Sequence, residues 1–325
     1  MQPEIIAELK SIFSPDHVRE NCPLAPYTTY RVGGPGELVL FPHGAEELAR
    51  MIGRLDWHDE AVRLVLGHGA NVLLSDVGMP GATVVLRYMD AVRFEGDLLI
   101  ADAGLAADTA AEIARVADRT GLEFLAGLPG TLGGAAFMNA RAFDYDLASI
   151  LEWVELVEPT GRVKTYYANA ADFGYKRSPF QGIPAILSRV ALKVRHGDGE
   201  AIAAAMERHR GLRRARGEDR VLSCGCVFQN PATREAPAGR LIDECGLKGF
   251  GTEHAWVYAS HANFMIHDGS ASASELRALF FEVRRIVEER TGVRLEPEVR
   301  FCGEFPETDH FVFRHDHARA LQVHS

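Results

Sequence analysis

Three glycine-rich stretches in the first 140 residues have the composition of phosphate-binding loops. They are residues 31–36 (RVGGPG), 66–71 (LGHGAN) and 127–134 (GLPGTLGG). Glycine lets backbone N–H groups converge without hindrance from a Cβ atom, and such concavities bind pyrophosphate. No stretch has the GxGxxG spacing of a dinucleotide fingerprint or the GxxxxGK pattern of a P-loop. Each alone is typical of an ordinary turn, but three in one block, two of them directly after apparent strands, raise a dinucleotide site to an equal alternative.

The elements that must position these loops alternate between helices and strands. The chain of 325 residues is long enough for about two domains, and its pattern fits three lobes better. Apolar residues at helical spacing predict helices at 44–55, 106–119, 199–216 and 272–290. In the second of these, Ile113 and Val116 are expected to cover a sheet. Runs rich in Val, Leu and Ile predict strands at 62–66, 82–87, 98–100, 151–157, 162–167 and 186–194.

Charge and cysteine content exclude several classes of function. Lys and Arg total 35 against 45 Asp and Glu, a formal charge of -10, which argues against nucleic-acid or anionic-membrane partners. Five cysteines without a repeated CxxC favour neither a disulfide framework nor a four-thiolate zinc site. The first thirty residues are too charged for a secretory signal, so we expect a cytoplasmic protein. The uncharged run 124–140 is too short to span a membrane and is interpreted as a turn-rich loop.

A break in pattern near residue 218 predicts a domain boundary. Residues 217–219 (GED) interrupt the helical pattern, and the apolar periodicity ends after Phe305. We therefore expect one region over 1–217, a second over 218–305, and a loosely held tail over 306–325. Four histidines of this tail are not expected to bind a metal, because nothing fixes their geometry. They are His310, His315, His317 and His324.

Eight ordered segments closely resemble one enzyme family. The first three are TTYRVGGPG (28–36), LGHGANVLLSD (66–76) and AGLPGTLGGAAFMNA (126–140). The others are FGYKRSPF (173–180), SCGCVFQNP (223–231), AGRLIDECGLKG (238–249), SHANFMIHDG (260–269) and LEPEVRFCG (295–303). Over about residues 20–303 the chain resembles the shorter type of the UDP-N-acetylenolpyruvoylglucosamine reductases.

This resemblance implies a fold, a cofactor and a reaction. The fold is a mixed α/β and α+β one: an FAD-binding fold of the vanillyl-alcohol-oxidase (PCMH) type in two subdomains, about 20–80 and 81–217, and an α+β substrate-binding domain over 218–305. FAD is bound non-covalently and reduced by NADPH. Hydride then passes from flavin N5 to C3 of UDP-N-acetylglucosamine enolpyruvate, and a general acid protonates C2 to give UDP-N-acetylmuramate, a peptidoglycan precursor. The expected partner is this small molecule, with no nucleic acid, no membrane and no second subunit.

The resemblance also implies site residues. Lys176, Cys226 and Glu298 are the expected catalytic residues, with Cys226 at the position where the family has Ser or Cys as proton donor. The expected flavin-binding residues are Arg31, Gly33, Gly34, Gly67, His68, Gly69, Ala70, Asn71, Leu73, Pro129, Gly130, Thr131, Gly133, Gly134 and Asn139. The expected substrate-binding residues are Tyr175, Arg177, Arg216, Gln229, Asn230 and His261, with Arg213 as a further candidate for the phosphates. Cys224 is expected in the core.

Two questions stay open at the level of sequence. Lys176 stands where the family usually has arginine; strand alternation would send Arg177 to the opposite face, which favours Lys176. Alternation likewise puts Glu298 on the polar face of residues 295–301. The rival interpretations are another flavin oxidase or dehydrogenase of the same cofactor fold acting on an alcohol or lactone, with His68 as a conceivable covalent attachment point, and a non-catalytic nucleotide-binding module.

Overall fold

The described part of the chain forms two compact units of mixed helices and strands. The computed structural model describes residues 2–55, 62–232, 236–306 and 311–315. Unit 1 comprises residues 1–22, 36–68 and 80–212, and unit 2 comprises residues 23–35, 69–79 and 213–325. Both units are therefore assembled from separate stretches of chain.

Helices and strands alternate along much of the chain. The α-helices of the described residues are α1 (Pro3–Ile12), α2 (Ala45–Ile52), α3 (Ala107–Val116), α4 (Leu132–Met138), α5 (Gly199–Ala215), α6 (Ala238–Glu244) and α7 (Ala273–Thr291). The strands up to α4 are β1 (Val18–Pro23), β2 (Pro35–Leu40), β3 (Val62–Leu66), β4 (Val72–Leu74), β5 (Met79–Val85), β6 (Val92–Glu95), β7 (Leu98–Asp102) and β8 (Arg119–Thr120). The remaining strands are β9 (Arg141–Ala142), β10 (Tyr145–Asp146), β11 (Leu151–Val157), β12 (Val163–Tyr167), β13 (Ile186–Lys193), β14 (Arg195–His196), β15 (Phe250–Gly251), β16 (Ala255–Val257), β17 (Met265–His267), β18 (Arg300–Cys302) and β19 (Arg314–His315).

Two sheets organise unit 1. A four-stranded sheet has the order β1-β2-β5-β3, in which β3 and β5 are parallel. A five-stranded antiparallel sheet has the order β12-β11-β13-β7-β6. Its central strand β13 is buried at nearly every position, so its apolar run reflects burial on both faces rather than alternation. Helix α2 buries Leu48, Met51 and Ile52, the face that the sequence predicts.

Helix α3 buries a different face from the one expected. Its buried side chains are four alanines, Ala107, Ala110, Ala111 and Ala114, whereas Val116 is 70% exposed. The expectation that Val116 covers a sheet is therefore wrong. Small side chains let a helix approach its neighbours closely, and close packing of alanine outweighs the larger apolar area of a residue at the helix end.

Unit 2 combines a small antiparallel sheet with two helices. The sheet has the order β17-β16-β15-β19, and β4 and β18 form a separate parallel pair in which Leu73 lies opposite Phe301. Helix α7 begins at the N-cap Ser272, whose hydroxyl accepts from the backbone N–H of Glu275 at 3.0 Å. It ends at Gly292, whose φ of 69° supplies the left-handed cap that the sequence predicts. Its apolar face, including Leu279 and Phe280, lies in the core of unit 2.

Two sequence-based expectations outside these elements are wrong. The run 124–140 is not simply a turn-rich loop, because it contains the end of a 3-10 helix and all of α4. Residues 311–315 are not loosely held: β19 pairs with β15, and the ring of Phe313 stacks on that of Phe250 at 5.8 Å. The Nε2 atom of His315 lies 2.7 Å from the carbonyl oxygen of Gly246. His310, His317 and His324 lie outside the described residues.

The grouping of residues also differs in detail from the expected domain limits. The C-terminal unit begins at Arg213, close to the expected boundary, and it also includes residues 23–35 and 69–79 from the N-terminal part. These two stretches contain residues 31–35 of the first glycine-rich loop and residues 69–71 of the second. No helix of the described residues is long and apolar enough to cross a membrane.

Candidate active site

Each unit carries part of the predicted site. Unit 1 contains Gly67, His68, Pro129, Gly130, Thr131, Gly133, Gly134, Asn139, Tyr175, Lys176 and Arg177. Unit 2 contains Arg31, Gly33, Gly34, Gly69, Ala70, Asn71, Leu73, Arg216, Cys226, Gln229, Asn230, His261 and Glu298.

The second and third glycine-rich loops approach each other within unit 1. A Cβ atom added at Gly67 would lie 2.2 Å from the Oγ1 atom of Thr131, which is closer than real atoms come. Thr131 is 2% exposed and is the N-cap of α4, its hydroxyl accepting from the N–H of Gly134 at 3.3 Å. Gly133 is required for a similar reason, because its Cβ would lie 2.7 Å from that of Ala103. These glycines are therefore needed for close packing of the chain itself.

The first glycine-rich loop packs in the same way within unit 2. A Cβ at Gly34 would lie 2.2 Å from the carbonyl oxygen of Asp76, and one at Gly33 would lie 2.6 Å from the Cβ of Leu74. Arg31 is exposed and has a φ of 54°, a left-handed conformation uncommon for a residue with a side chain. Leu73 is 3% exposed and its side chain belongs to the apolar core of unit 2, so only its backbone can face a ligand.

Each unit has backbone N–H groups that suit a phosphate. Among the described residues, those of His68, Gly130 and Thr131 in unit 1 donate to no atom of the chain, and the same holds for Gly69 and Ala70 in unit 2. Gly69 has a φ of 60°, a left-handed conformation that occurs in anion-binding nests. Consecutive donors of this kind suit the diphosphate of FAD.

The N-terminus of α4 and the ring of His68 offer less to an anionic ligand than the sequence suggests. The first N–H groups of α4 are already used, since Leu132 donates to the Leu105 carbonyl and Gly133 to the Ala103 carbonyl, both at 2.9 Å. Burial, together with the charge of Arg87, lowers the pKa of His68, so its imidazole is neutral near pH 7. The backbone of the second loop is thus its main binding feature.

The segment that carries Lys176 is a tight turn rather than a strand. Gly174 and Arg177 exchange two backbone hydrogen bonds of 3.0 and 3.1 Å, and Lys176 has a φ of 56°. The argument from strand alternation is therefore wrong, because side chains do not alternate across a two-residue turn. Exposure separates the two cations: Arg177 is exposed and Lys176 is half-buried. Tyr175, at the tip of the turn, is 46% exposed.

Asn139 holds this turn. It is the left-handed C-cap of α4, 4% exposed, and its Nδ2 donates to the Gly174 carbonyl at 3.0 Å while its Oδ1 accepts from the N–H of Ala148 at 3.0 Å. Both ends of the amide are thus engaged by the protein. Asn139 therefore positions the segment of Lys176.

Backbone hydrogen bonds join the segment of Cys226 to that of Glu298 within unit 2. The N–H of Glu298 donates to the carbonyl of Val227 at 2.9 Å, and Phe228 pairs with Pro297 in an antiparallel bridge. Both candidate side chains are half-buried. A thiol and a carboxylate that can exchange protons with a substrate are thus carried on adjacent backbone segments.

Asn263 clamps the same segment and was not singled out from the sequence. This residue is 3% exposed; its Oδ1 accepts from the N–H of Phe228 at 3.1 Å, and its Nδ2 donates to the Phe228 carbonyl at 2.9 Å. The carbonyl of Asn263 also accepts from the N–H of Val227 at 2.9 Å. Its side-chain amide takes the place of a backbone partner for Phe228. The local sequence shows only an asparagine in an apolar segment, which does not predict such a contact.

Cys224 and Tyr30 form a buried pair beneath the Cys226 segment. The Tyr30 hydroxyl donates to the Met265 carbonyl at 3.0 Å and is hydrogen-bonded to the Cys224 thiol. Burial, with smaller contributions from negative charge on Glu298 and Cys226, raises the pKa of Cys224 to about 12. Cys224 is therefore a protonated core residue, as expected, and it lies within electrostatic range of both candidate catalytic groups.

Three of the candidate polar side chains of unit 2 have partners within the protein. Arg213 is mostly buried and pairs with Glu218 at 3.4 Å; burial lowers its pKa, and the interactions with Glu218 and the Cys226 sulfur oppose that shift. Arg216 is exposed and lies 3.5 Å from the other oxygen of Glu218. Burial lowers the pKa of His261, whose Nδ1 accepts from the N–H of Asn263, so the neutral ring carries its proton on Nε2.

Gln229 and Asn230 are engaged in local contacts. The Nε2 of Gln229 donates to the Pro297 carbonyl at 3.1 Å, next to Glu298 in the chain. The Oδ1 of exposed Asn230 accepts from the N–H of Ala238 at the start of α6. Groups of three or more His, Cys, Asp or Glu able to hold a metal are absent from the described residues.

Comparison with known proteins gives the class and then the family. A family profile described as FAD binding domain matches residues 36–166, and one described as UDP-N-acetylenolpyruvoylglucosamine reductase, C-terminal domain, matches residues 218–302. The UDP-N-acetylenolpyruvoylglucosamine reductase of Pediococcus pentosaceus is 36% identical over 287 residues, 88% of this chain and 95% of that protein. That of Streptococcus equi subsp. equi is 36% identical over 300 residues, 92% and 99% of the two chains.

A solved structure supports the same assignment. The crystal structure of UDP-N-acetylenolpyruvylglucosamine reductase from Thermus caldophilus superposes with a TM-score of 0.72 at 32% identity, covering 88% of this chain and 98% of that one. The fold and the donor-rich loops thus define an FAD-binding oxidoreductase. The chain belongs to the UDP-N-acetylenolpyruvoylglucosamine reductase family. The predictions of the family, the FAD-binding fold and the FAD cofactor are confirmed.

Proposed function

We propose that this chain catalyses the NADPH-dependent reduction of UDP-N-acetylglucosamine enolpyruvate to UDP-N-acetylmuramate, a step of peptidoglycan precursor synthesis. The observation that carries the proposal is the hydrogen-bonded pairing of the Cys226 and Glu298 segments. Saturation of an alkene needs one hydride and one proton, and a thiol beside a carboxylate supplies the proton. Family membership supports the choice of substrate.

The chain's own residues provide binding and proton transfer. The candidate donors to FAD are the N–H groups of His68, Gly130 and Thr131 in unit 1 and those of Gly69 and Ala70 in unit 2. Bound and reduced FAD would supply the hydride that C3 requires. The Cys226 thiol donates its proton to C2, which leaves a thiolate. The charge of Arg213 interacts favourably with that thiolate, and Glu298 lies on the adjacent backbone segment.

The remaining assignments follow from this mechanism. Lys176, held in its turn by Gly174 and Asn139, provides a point charge for the substrate carboxylate as negative charge develops at C2. Tyr175, Arg177, Arg216, Gln229, Asn230 and His261 are the proposed substrate contacts. We propose a monomeric cytoplasmic enzyme in which residues 1–217 bind FAD, residues 218–305 bind the sugar nucleotide, and residues 306–325 form a C-terminal extension.

Separate measurement of the two half-reactions of Cys226→Ala tests the mechanism. Reduction of the flavin by NADPH should be nearly unchanged, whereas reoxidation by the enolpyruvyl substrate should be at least about 100-fold slower, the cost of losing a general acid. Cys226→Ser should recover part of the activity, because a hydroxyl restores a donor. Both rates are measured by anaerobic stopped-flow absorbance of the flavin.

A second half-buried thiol of unit 2 provides the control. Cys302→Ala removes the thiol of a β18 residue without touching the Cys226 segment, and both of its half-reactions should stay within about twofold of wild type. Equal slowing of both half-reactions in Cys226→Ala would remove Cys226 from the proton-donor role.

The oxidase alternative makes a distinct prediction about the flavin. Attachment through His68 would retain yellow flavin on the denatured chain, whereas the proposed reductase should release FAD into the supernatant. Family membership favours the reductase. A protein that binds no flavin and oxidises no NADPH with the enolpyruvyl substrate would refute the proposed function as a whole.

A further inference from the structure

The second glycine-rich loop is hydrogen-bonded directly to the segment that carries Glu298. The Nδ2 of Asn71 donates to the Glu298 carbonyl at 3.1 Å, and the N–H of Arg300 donates back to the Asn71 carbonyl at 3.1 Å. The next residues continue this contact as the parallel pair of β4 and β18, with Val72 opposite Arg300. All of these residues belong to unit 2.

The contact is one link of a longer chain of hydrogen bonds. Residues 68–70 present their N–H groups as the proposed diphosphate site, and Asn71 follows immediately. From Asn71 the bonds lead to Glu298, and the N–H of Glu298 leads to the carbonyl of Val227, the neighbour of Cys226. Backbone and side-chain hydrogen bonds therefore connect the end of the second glycine-rich loop with the segments of both proposed acid groups.

The Asn71 side chain is bonded to the backbone of the Glu298 segment. One of the two N–H bonds of its Nδ2 group donates to the Glu298 carbonyl. This hydrogen bond fixes the backbone at Glu298, whose carboxylate is one of the proposed acid groups.

We propose that Asn71 is a positioning residue that acts through Glu298 and sets the geometry of proton delivery. The proposal rests on the proposed function, since it assigns a role within that reaction. Loss of the Asn71 amide should leave FAD binding intact and displace the Glu298 backbone. A displacement of about 1 Å in a reacting group costs up to about 100-fold in rate.

Asn71→Ala provides the first test. Its FAD content, from the absorbance of the purified holoenzyme, and its rate of flavin reduction by NADPH should stay within about twofold of wild type. Reoxidation by the enolpyruvyl substrate should be about 10-fold to 100-fold slower. Loss of FAD, or equal slowing of both half-reactions, would overturn the proposal.

A double-mutant cycle with Glu298→Gln separates positioning from a general structural effect. If Asn71 acts through Glu298, adding Asn71→Ala to Glu298→Gln should slow reoxidation by less than about twofold more. If the rate effects of the two single substitutions instead multiply in the double variant, Asn71 does not act through Glu298. Should Asn71→Ala fail to fold by circular dichroism, Asn71→Ser, which keeps a shorter donor, takes its place in the same cycle.

Ser75→Ala is the matched control. It removes another side-chain hydrogen bond across the same strand pair, from the Ser75 hydroxyl to the Glu304 carbonyl, beyond the end of β18 away from Glu298. Both half-reactions of Ser75→Ala should stay within about twofold of wild type. If Ser75→Ala selectively slows reoxidation, any loss of a hydrogen bond across the strand pair has this effect, and a specific role of Asn71 is contradicted. The wild-type enzyme in the same assay reports separately on the proposed function, because it must complete both half-reactions.

Discussion

Replacing Gly67 by alanine tests whether the second glycine-rich loop is shaped by its packing on Thr131. The added Cβ would lie 2.2 Å from Oγ1, 2.9 Å from Cγ2 and 3.1 Å from Cβ of Thr131. Thr131 is buried and cannot move without giving up its cap on the N–H of Gly134. Lost capping costs about 1 kcal/mol and overpacking about 1–3 kcal/mol, so we expect the free energy of unfolding to fall by about 2–4 kcal/mol.

Urea unfolding followed by circular dichroism, at equal saturating FAD, measures this change. Thr131→Ala alone should cost about 1 kcal/mol, the value of the cap. The double variant Gly67→Ala/Thr131→Ala removes the two closest contacts and should be more stable than the sum of the single effects predicts. Gly182→Ala in the same unit is the control: no atom lies within 4 Å of its added Cβ, and the change should stay within about 0.5 kcal/mol.

Two results would refute this reasoning. If Gly67→Ala unfolds at the wild-type urea concentration, the loop and Thr131 do not pack as closely as the structure shows. If the effects of Gly67→Ala and Thr131→Ala simply add, the alanine is strained by something other than the Thr131 side chain.

Two further predictions concern the turn of Lys176 and the surface of unit 2. Asn139→Ala removes the hydrogen bond to the carbonyl of Gly174, so the KM for the enolpyruvyl substrate should rise about tenfold in steady-state assays with FAD content unchanged; an unchanged KM would contradict the positioning role of Asn139. The hydrogen bond to Asp268 raises the pKa of His254, so this pair stabilises the fold fully below the ordinary histidine pKa of about 6.5, and the contribution is lost as pH rises through the raised value. The Tm difference between wild type and His254→Gln should therefore be larger at about pH 5.5 than at about pH 8.5, and calorimetric scans giving the reverse order would contradict that sign.

Local patterns predicted the regular elements well. The helix from residue 272 to 290 was expected from its apolar face and its terminal glycine, and the structure has Ala273–Thr291 with Gly292 as the cap. The strand at 151–157 was expected with the bounds that the structure gives. Such signals are local, because an apolar face and a cap lie within a few residues of the backbone that they determine.

Local patterns failed where a contact distant in sequence decides the structure. The tail histidine His315 belongs to an edge strand because Phe250 and Gly251 offer a pairing partner, which composition does not reveal. Lys176 lies in a turn because Gly174 and Arg177 close it and Asn139 holds it. In both cases tertiary contacts overrode the interpretation drawn from a few neighbouring residues.

The order of eight motifs was enough to establish the family, the FAD-binding fold and the candidate residues, since residue types and their spacing are written in the chain. Only the tertiary structure showed which of these residues are hydrogen-bonded to one another. Asn71 and Glu298 are 227 positions apart, and their hydrogen bond exists only after β4 and β18 have paired. A hydrogen bond depends on distance and direction in space, and no periodicity of a sequence specifies those for residues so far apart.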